Sequence, residues 1–179
     1  MKKLILYKSN CGSTKKYAED IGKAVGADVM PLKQFKWKAL NQYDIIVFGG
    51  WVMGGNIQGV NDFLVHWEEM KDRNVIIFAV GMGYPTPEGR NTLINQNVLD
   101  LYHIRFYQFQ GSFDFKKLNL VHKALMKTSI ARIARKPDAT EGDKQLLSVL
   151  ENPLEVYDQA KVDRVIEVIE KIEAEDNKA

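Results

Sequence analysis

Leu4-Ile5-Leu6-Tyr7-Lys8-Ser9-Asn10-Cys11-Gly12-Ser13-Thr14 opens the chain with an apolar run, a polar turn and the start of a helical pattern. After the turn, Tyr17, Ala18, Ile21, Ala24 and Val25 recur at spacings of three and four. That is the period of a helix with one buried face. The same unit then repeats in outline. Asp44-Ile45-Ile46-Val47-Phe48 runs into Gly49-Gly50, and Phe63, Leu64, Trp67 and Met70 give the next helix its stripe. Val75-Ile76-Ile77-Phe78-Ala79-Val80 also ends in glycine, with a helical stretch expected over residues 88–100. Ala27 to Met30 and Arg105 to Phe109 are the remaining strand candidates. Val162, Val165, Ile166, Ile169 and Ile172 mark a final helix.

Strands that are apolar throughout, rather than at alternate positions, are buried on both faces. Alternating strands and helices then imply an α/β fold, an open five-stranded parallel sheet with helices on both sides. The 179 residues fit a single domain, 1–179. With 45% hydrophobic and 27% charged residues, disorder is excluded, and no apolar run approaches the roughly 18–20 residues of a spanning helix. Only four apolar residues separate Met1-Lys2-Lys3 from Lys8, so no secretory leader is expected. The single cysteine, Cys11, suits a cytoplasmic setting.

In such sheets ligands bind beyond the carboxyl ends of the strands. Three loops therefore matter. Ser9 to Thr14 sits between a strand and a helix, where unpaired N–H groups attract phosphate. The same residues also suit a plain helix cap. A Walker-type loop is excluded, since its lysine and second glycine are missing. A thiol-phosphatase loop is excluded too, because Tyr17 stands where the clamping arginine belongs. The second loop, Gly49-Gly50-Trp51-Val52-Met53-Gly54-Gly55-Asn56, offers an aromatic face and mobile peptides. Packing of Trp51 on a neighbouring loop is the alternative. The third, Gly81-Met82-Gly83-Tyr84-Pro85, offers N–H groups and a second ring. Together they describe a ligand with a phosphate at one end and a flat ring at the other.

At this point the sequence resembles the flavodoxin family over nearly its whole length. Ser9-Asn10-Cys11-Gly12-Ser13-Thr14 is similar to the family's phosphate loop, with Cys11 where a threonine is usual. Trp51 and Tyr84 fall where the family carries the aromatic residues that flank the flavin ring. The resemblance implies a three-layer α/β/α fold with FMN as cofactor. It implies that Ser9, Asn10, Cys11, Gly12, Ser13 and Thr14 hold the phosphate. Gly49, Gly50, Trp51, Val52, Met53 and Gly54 would lie along one side of the ring, a turning peptide carbonyl among them meeting N5. Gly81, Met82, Gly83 and Tyr84 would meet its pyrimidine edge. No catalytic acid or base stands out, and His66, His103 and His122 are too scattered to suggest a metal.

The charge pattern narrows the branch. Residues 105–136 carry 8 basic and 1 acidic side chains, and residues 137–179 carry 5 basic and 12 acidic ones. The pI near 8.5 contrasts with the acidic surface of electron-carrier flavodoxins. Gly111-Ser112-Phe113 and the basic stretch after it resemble the quinone-dependent protoporphyrinogen dehydrogenases of this family, although Met53 and Gly54 replace that branch's Arg and Tyr. Residues 115–157 read as a helical insert before the last helix. On a helical wheel Leu118, Val121, Leu125, Met126, Ile130 and Ile133 gather on one side, and Lys116, Lys117, Lys123, Lys127 and Arg135 on the other. Such a helix suits three settings: packing on its own domain, an anionic membrane surface met by residues 116–136, or an acidic redox protein. Nucleic acid is not expected, because no aromatic residue interleaves the lysines. The expected function is electron transfer through FMN to a redox partner protein or a quinone. The alternative is oxidation of protoporphyrinogen at the inner face of the membrane.

Overall fold

The computed structural model describes residues 1–118, 120–135, 137, 138, 144, 147, 148 and 152–177. Among the described residues six strands are present: β1 (Lys3–Lys8), β2 (Asp28–Pro31), β3 (Ile45–Met53), β4 (Asn56–Ile57), β5 (Asn74–Gly81) and β6 (Ile104–Gln110). The helices are α1 (Ser13–Val25), α2 (Val60–Leu64), α3 (Trp67–Met70), α4 (Pro87–Gln96), α5 (Leu120–Ile133) and α6 (Gln159–Asp176). Five strands run parallel in the order β2-β1-β3-β5-β6, and β4 pairs antiparallel with the end of β3. This is the expected five-stranded parallel sheet in three layers, with the extra helix α5 before the last one.

Alternation along the strands explains their unbroken apolar sequence. Ile5, Ile45, Val47, Ile76 and Phe78 pack with α1 and α6 on one face. Leu4, Leu6, Ile46, Phe48 and Ile77 pack on the other, with Val60, Phe63, Met70 and Leu93 from α2, α3 and α4. Successive side chains of a strand point to opposite faces, so a strand covered on both sides needs apolar residues at every position. In α6, Val162, Val165, Ile169 and Ile172 are the buried stripe, each contributing about 1.5–3 kcal/mol before entropy is counted. Lys3 holds the far end of α6 through an ion pair with Glu173.

The connection from β1 passes over one face and that from β3 over the other. The chain therefore reverses its winding between these two neighbours, and their carboxyl ends diverge into a crevice.

Three expectations are corrected. Residues 49–53 are not a loop: β3 continues through Met53 and returns as β4. Gly49 and Gly50 are buried within it, and a Cβ at Gly49 would lie 2.2 Å from the Phe78 ring. The helix expected over 88–100 stops at Gln96, because Val98 takes a left-handed conformation with φ 54°. Short 3-10 turns at Leu32–Gln34 and Trp37–Gln42, with no α-helix, join β2 to β3.

One buried hydroxyl joins three elements. Tyr17 on α1 donates to the Gln110 carbonyl at 2.6 Å and accepts from the Asp158 N–H at 2.6 Å. Burial raises its pKa, and the hydrogen bond from Asp158 partly offsets this. Tyr17 also stacks on Tyr157, whose hydroxyl donates to Asp20. Tyr17→Phe strands the carbonyl and the N–H and is expected to cost about 1–3 kcal/mol. Urea unfolding measures it; a loss below about 0.3 kcal/mol would show that these groups find other partners.

Candidate functional site

A cleft of about 680 Å³ opens at the carboxyl ends of β1, β3 and β5. Its floor begins in the first loop. Gly12 takes φ 99°, a left-handed conformation that favours glycine, and α1 starts at the next residue. No side chain caps the helix and no acidic residue occupies its first turn. The leading N–H groups and the positive end of the helix dipole thus stay available to an anion. Ser9, at the start of the loop, does not itself line the cleft and has a buried Oγ without a hydrogen-bond partner among the described residues. Thr14 is 1% exposed and lines the cleft with Asn10, Cys11 and Ser13. A buried hydroxyl lacking a protein partner is costly unless something fills the site.

The β3–β4 hairpin forms one wall. Trp51, Val52, Met53 and Gly54 line the cleft, as does Asn56. Gly54 and Gly55 make the two-residue turn, with φ of 57° and 80°, as such hairpins require. The turn is clamped from α4 and the residue after it. Gln96 Nε2 donates to the Gly54 carbonyl at 2.9 Å, and Asn97 Nδ2 donates to that of Gly55 at 2.9 Å. Asn97 Oδ1 accepts from the Ile57 N–H at 2.9 Å. The Gly54 carbonyl is thus engaged, and Gly49 and Gly50 are locked in the sheet. This corrects the expectation of a freely turning peptide at those positions.

Gly81 and Met82 at the end of β5 also line the cleft. Gly83 and Tyr84 do not, and Tyr84 is 76% exposed. The ring expected from Tyr84 is therefore not aimed into the site. Gly111, Ser112 and Phe113 supply the side opposite the hairpin loop. They are well anchored. Gly111 N–H donates to the Gly81 carbonyl at 2.8 Å, and Ser13 Oγ donates to that of Ser112 at 3.1 Å. Phe113 pairs with Leu154 in an isolated antiparallel bridge.

The final wall is the one that motif reading left unassigned. Leu118 before α5, and His122, Leu125, Met126, Thr128 and Arg132 within it, line the same cleft. The His122 ring stands edge-on to Trp51, with centroids 5.1 Å apart and planes at 70°. The wheel gathers Val121 and Leu125 on the apolar side, and they are 67% and 52% exposed. Lys136 and residues 139–143, 145, 146 and 149–151 of the expected insert lie outside the described residues. Among the described residues no three His, Cys, Asp or Glu side chains gather as a metal site needs.

A family model described as a flavodoxin domain matches residues 4–141. The chain belongs to the flavodoxin family. Solved structures resemble it at low identity. A flavodoxin from the domain Archaea is 17% identical, with a TM-score of 0.46 over 62% of this chain and 83% of that one. The two-electron-reduced flavodoxin of Megasphaera elsdenii is 19% identical, with a TM-score of 0.48 over 60% and 84%. A Lactobacillus acidophilus flavoprotein in complex with FMN is 18% identical, with a TM-score of 0.44 over 61% and 92%. No curated protein matches the sequence. A flavodoxin's cofactor is FMN and its function is redox, and this site fits that group. The partnerless Ser9 hydroxyl and the uncapped start of α1 suit a phosphate, and the indole of Trp51 suits a flat ring.

Ser9→Ala removes a hydroxyl that no described residue uses, so stability should hold while FMN binding weakens about tenfold. Tyr84→Ala should leave FMN affinity within about twofold, because the ring lies outside the cleft. Fluorescence titration with FMN checks both. Unchanged affinity in the first, or a large loss in the second, would overturn this assignment.

Proposed function

We propose that this flavodoxin exchanges electrons between FMN and a small molecule bound beneath α5. One observation carries the reading: α5 walls the cleft, with His122 against Trp51. A carrier that docks on other proteins needs its ring edge open to them. Here the insert walls one side of the space beside that position, with Leu118, Leu125 and Met126 as its apolar part. When bound, FMN supplies the capacity to take up and release electrons, while the protein positions and shields. The start of α1, with Ser9 and Thr14, binds the phosphate. Trp51 flanks the ring, and the Gln96 and Asn97 clamp keeps the hairpin wall from shifting. Leu118, which is 6% exposed, and Met126 shield the neighbouring space.

A quinone is the partner that this space suits. A quinone held there would gain two electrons and two protons, the electrons being what the reduced cofactor supplies, and would leave as hydroquinone. Stopped-flow mixing of the reduced FMN-loaded protein with a naphthoquinone is expected to give rates that saturate with quinone. A strictly linear dependence, or no reoxidation, would contradict a bound small-molecule partner.

A second reading has its own support. Leu120 is 84% exposed, and together with Val121 and Leu125 it leaves apolar surface on α5 close to Lys116, Lys123 and Lys127. An apolar stripe bordered by lysines suits the surface of an anionic bilayer. Among the described residues no helix is long and apolar enough to cross a membrane. This reading makes the protein a protoporphyrinogen dehydrogenase that passes electrons to quinone at the membrane surface. Porphyrin fluorescence should then rise when protoporphyrinogen and quinone are added anaerobically with anionic vesicles. No rise above the protein-free rate would remove this reading and leave the first standing.

A further inference from the structure

The cleft has an apolar wall and a cationic mouth. Leu118, Leu125 and Met126 make the apolar part, with Trp51. Thr128 and Arg132 line the same cleft, and both also line an outer groove with Lys127, Ala131 and Arg135. Arg132 therefore stands where the interior space meets the surface. Residues 128 and 132 are one helical turn apart, so they share a face of α5. Lys127 and Arg135 border only the outer groove. Among the described residues no carboxylate lies within 4.0 Å of Arg132.

The geometry points to Arg132 as the residue that selects the reductant, the molecule that supplies electrons to FMN before the quinone removes them, by binding an acidic group on its otherwise apolar body. This rests on the reading that FMN and its small-molecule partner share the cleft. A guanidinium meets a carboxylate through two parallel hydrogen bonds, which fixes orientation as well as charge. Arg132 is itself exposed, so the two-bond geometry, rather than exclusion of water, gives the preference. The body of the molecule then lies against Leu125 and Met126, beside Trp51. A neutral partner of the same shape gains the apolar contacts but nothing from Arg132. Of the three cations, only Arg132 lines the interior space. That favours a small acid held partly inside over a broad acidic surface resting outside.

The test uses a matched, redox-inert pair on the FMN-loaded protein: naphthalene-2-carboxylate and naphthalene-2-carboxamide. Flavin absorbance of the sample is recorded first, so that loss of FMN is seen separately from loss of acid selection. Binding is followed by calorimetry at fixed salt. The wild type is expected to prefer the carboxylate by about tenfold. Arg132→Gln should bring the two affinities within about twofold by weakening the carboxylate alone. Lys127→Gln combined with Arg135→Gln should retain most of the preference, since a diffuse surface field contributes little. A wild type without preference, or a preference that survives Arg132→Gln, would overturn the inference. So would a double variant that abolishes it, which would assign the selection to the outer groove.

Discussion

The hydroxyl of Tyr17 is the point on which the ligand end of this fold depends. It links the second turn of α1 to the last carbonyl of β6 and to the N-cap of α6. The loop from Ser9 to Gly12 opens α1, and Gly111 to Phe113 leave β6, so one buried bond fixes two walls of the cleft against each other. Ser112 extends the link: its Oγ donates to the Val156 carbonyl at 2.9 Å and accepts from the Val156 N–H at 3.0 Å. The far wall is fixed separately, by Asn97 reaching back to the β3–β4 hairpin. The cleft is thus held by polar groups buried at its edges and is apolar within.

This division of labour explains how the family's fold accommodates the insert. The sheet and the buried residues of its two core clusters lie outside residues 115–157, of which Tyr157 packs against one cluster. Their addition lines the cleft through Leu118, His122 and Met126. An electron carrier gains nothing from covering that place. A site that holds a substrate does, because covering it excludes water and sets the distance and orientation of the reactants.

The sheet was legible because double-sided burial leaves a plain record: Ile45 to Phe48 and Val75 to Val80 are apolar without a break. The turn at Ser9 to Gly12 was legible because a strand, a glycine and a helix start follow one another directly in the sequence. The second loop was misread for a physical reason. Gly49 and Gly50 look like loop residues, yet they are small because Phe78 and Ile57 press on them. Trp51 to Met53 then continue as strand. The clamp by Gln96 and Asn97 joins residues some forty positions apart, and no local pattern announces it. For α5, the wheel showed that one side is apolar but not what covers it. Val121 and Leu125 proved exposed, while His122, counted among scattered histidines, stands against Trp51.

The central claim is that the first loop is a phosphate site and that the cleft beside it takes a flavin. Parallel titrations of the purified protein with FMN and with riboflavin, which lacks only the phosphate, test it most directly. Trp51 emission and flavin fluorescence serve as readouts. The account predicts that FMN binds at about micromolar concentration or tighter, and riboflavin at least about tenfold more weakly. Equal affinity for the two would contradict a phosphate site at Ser9 to Thr14, and binding of neither would contradict the flavin itself.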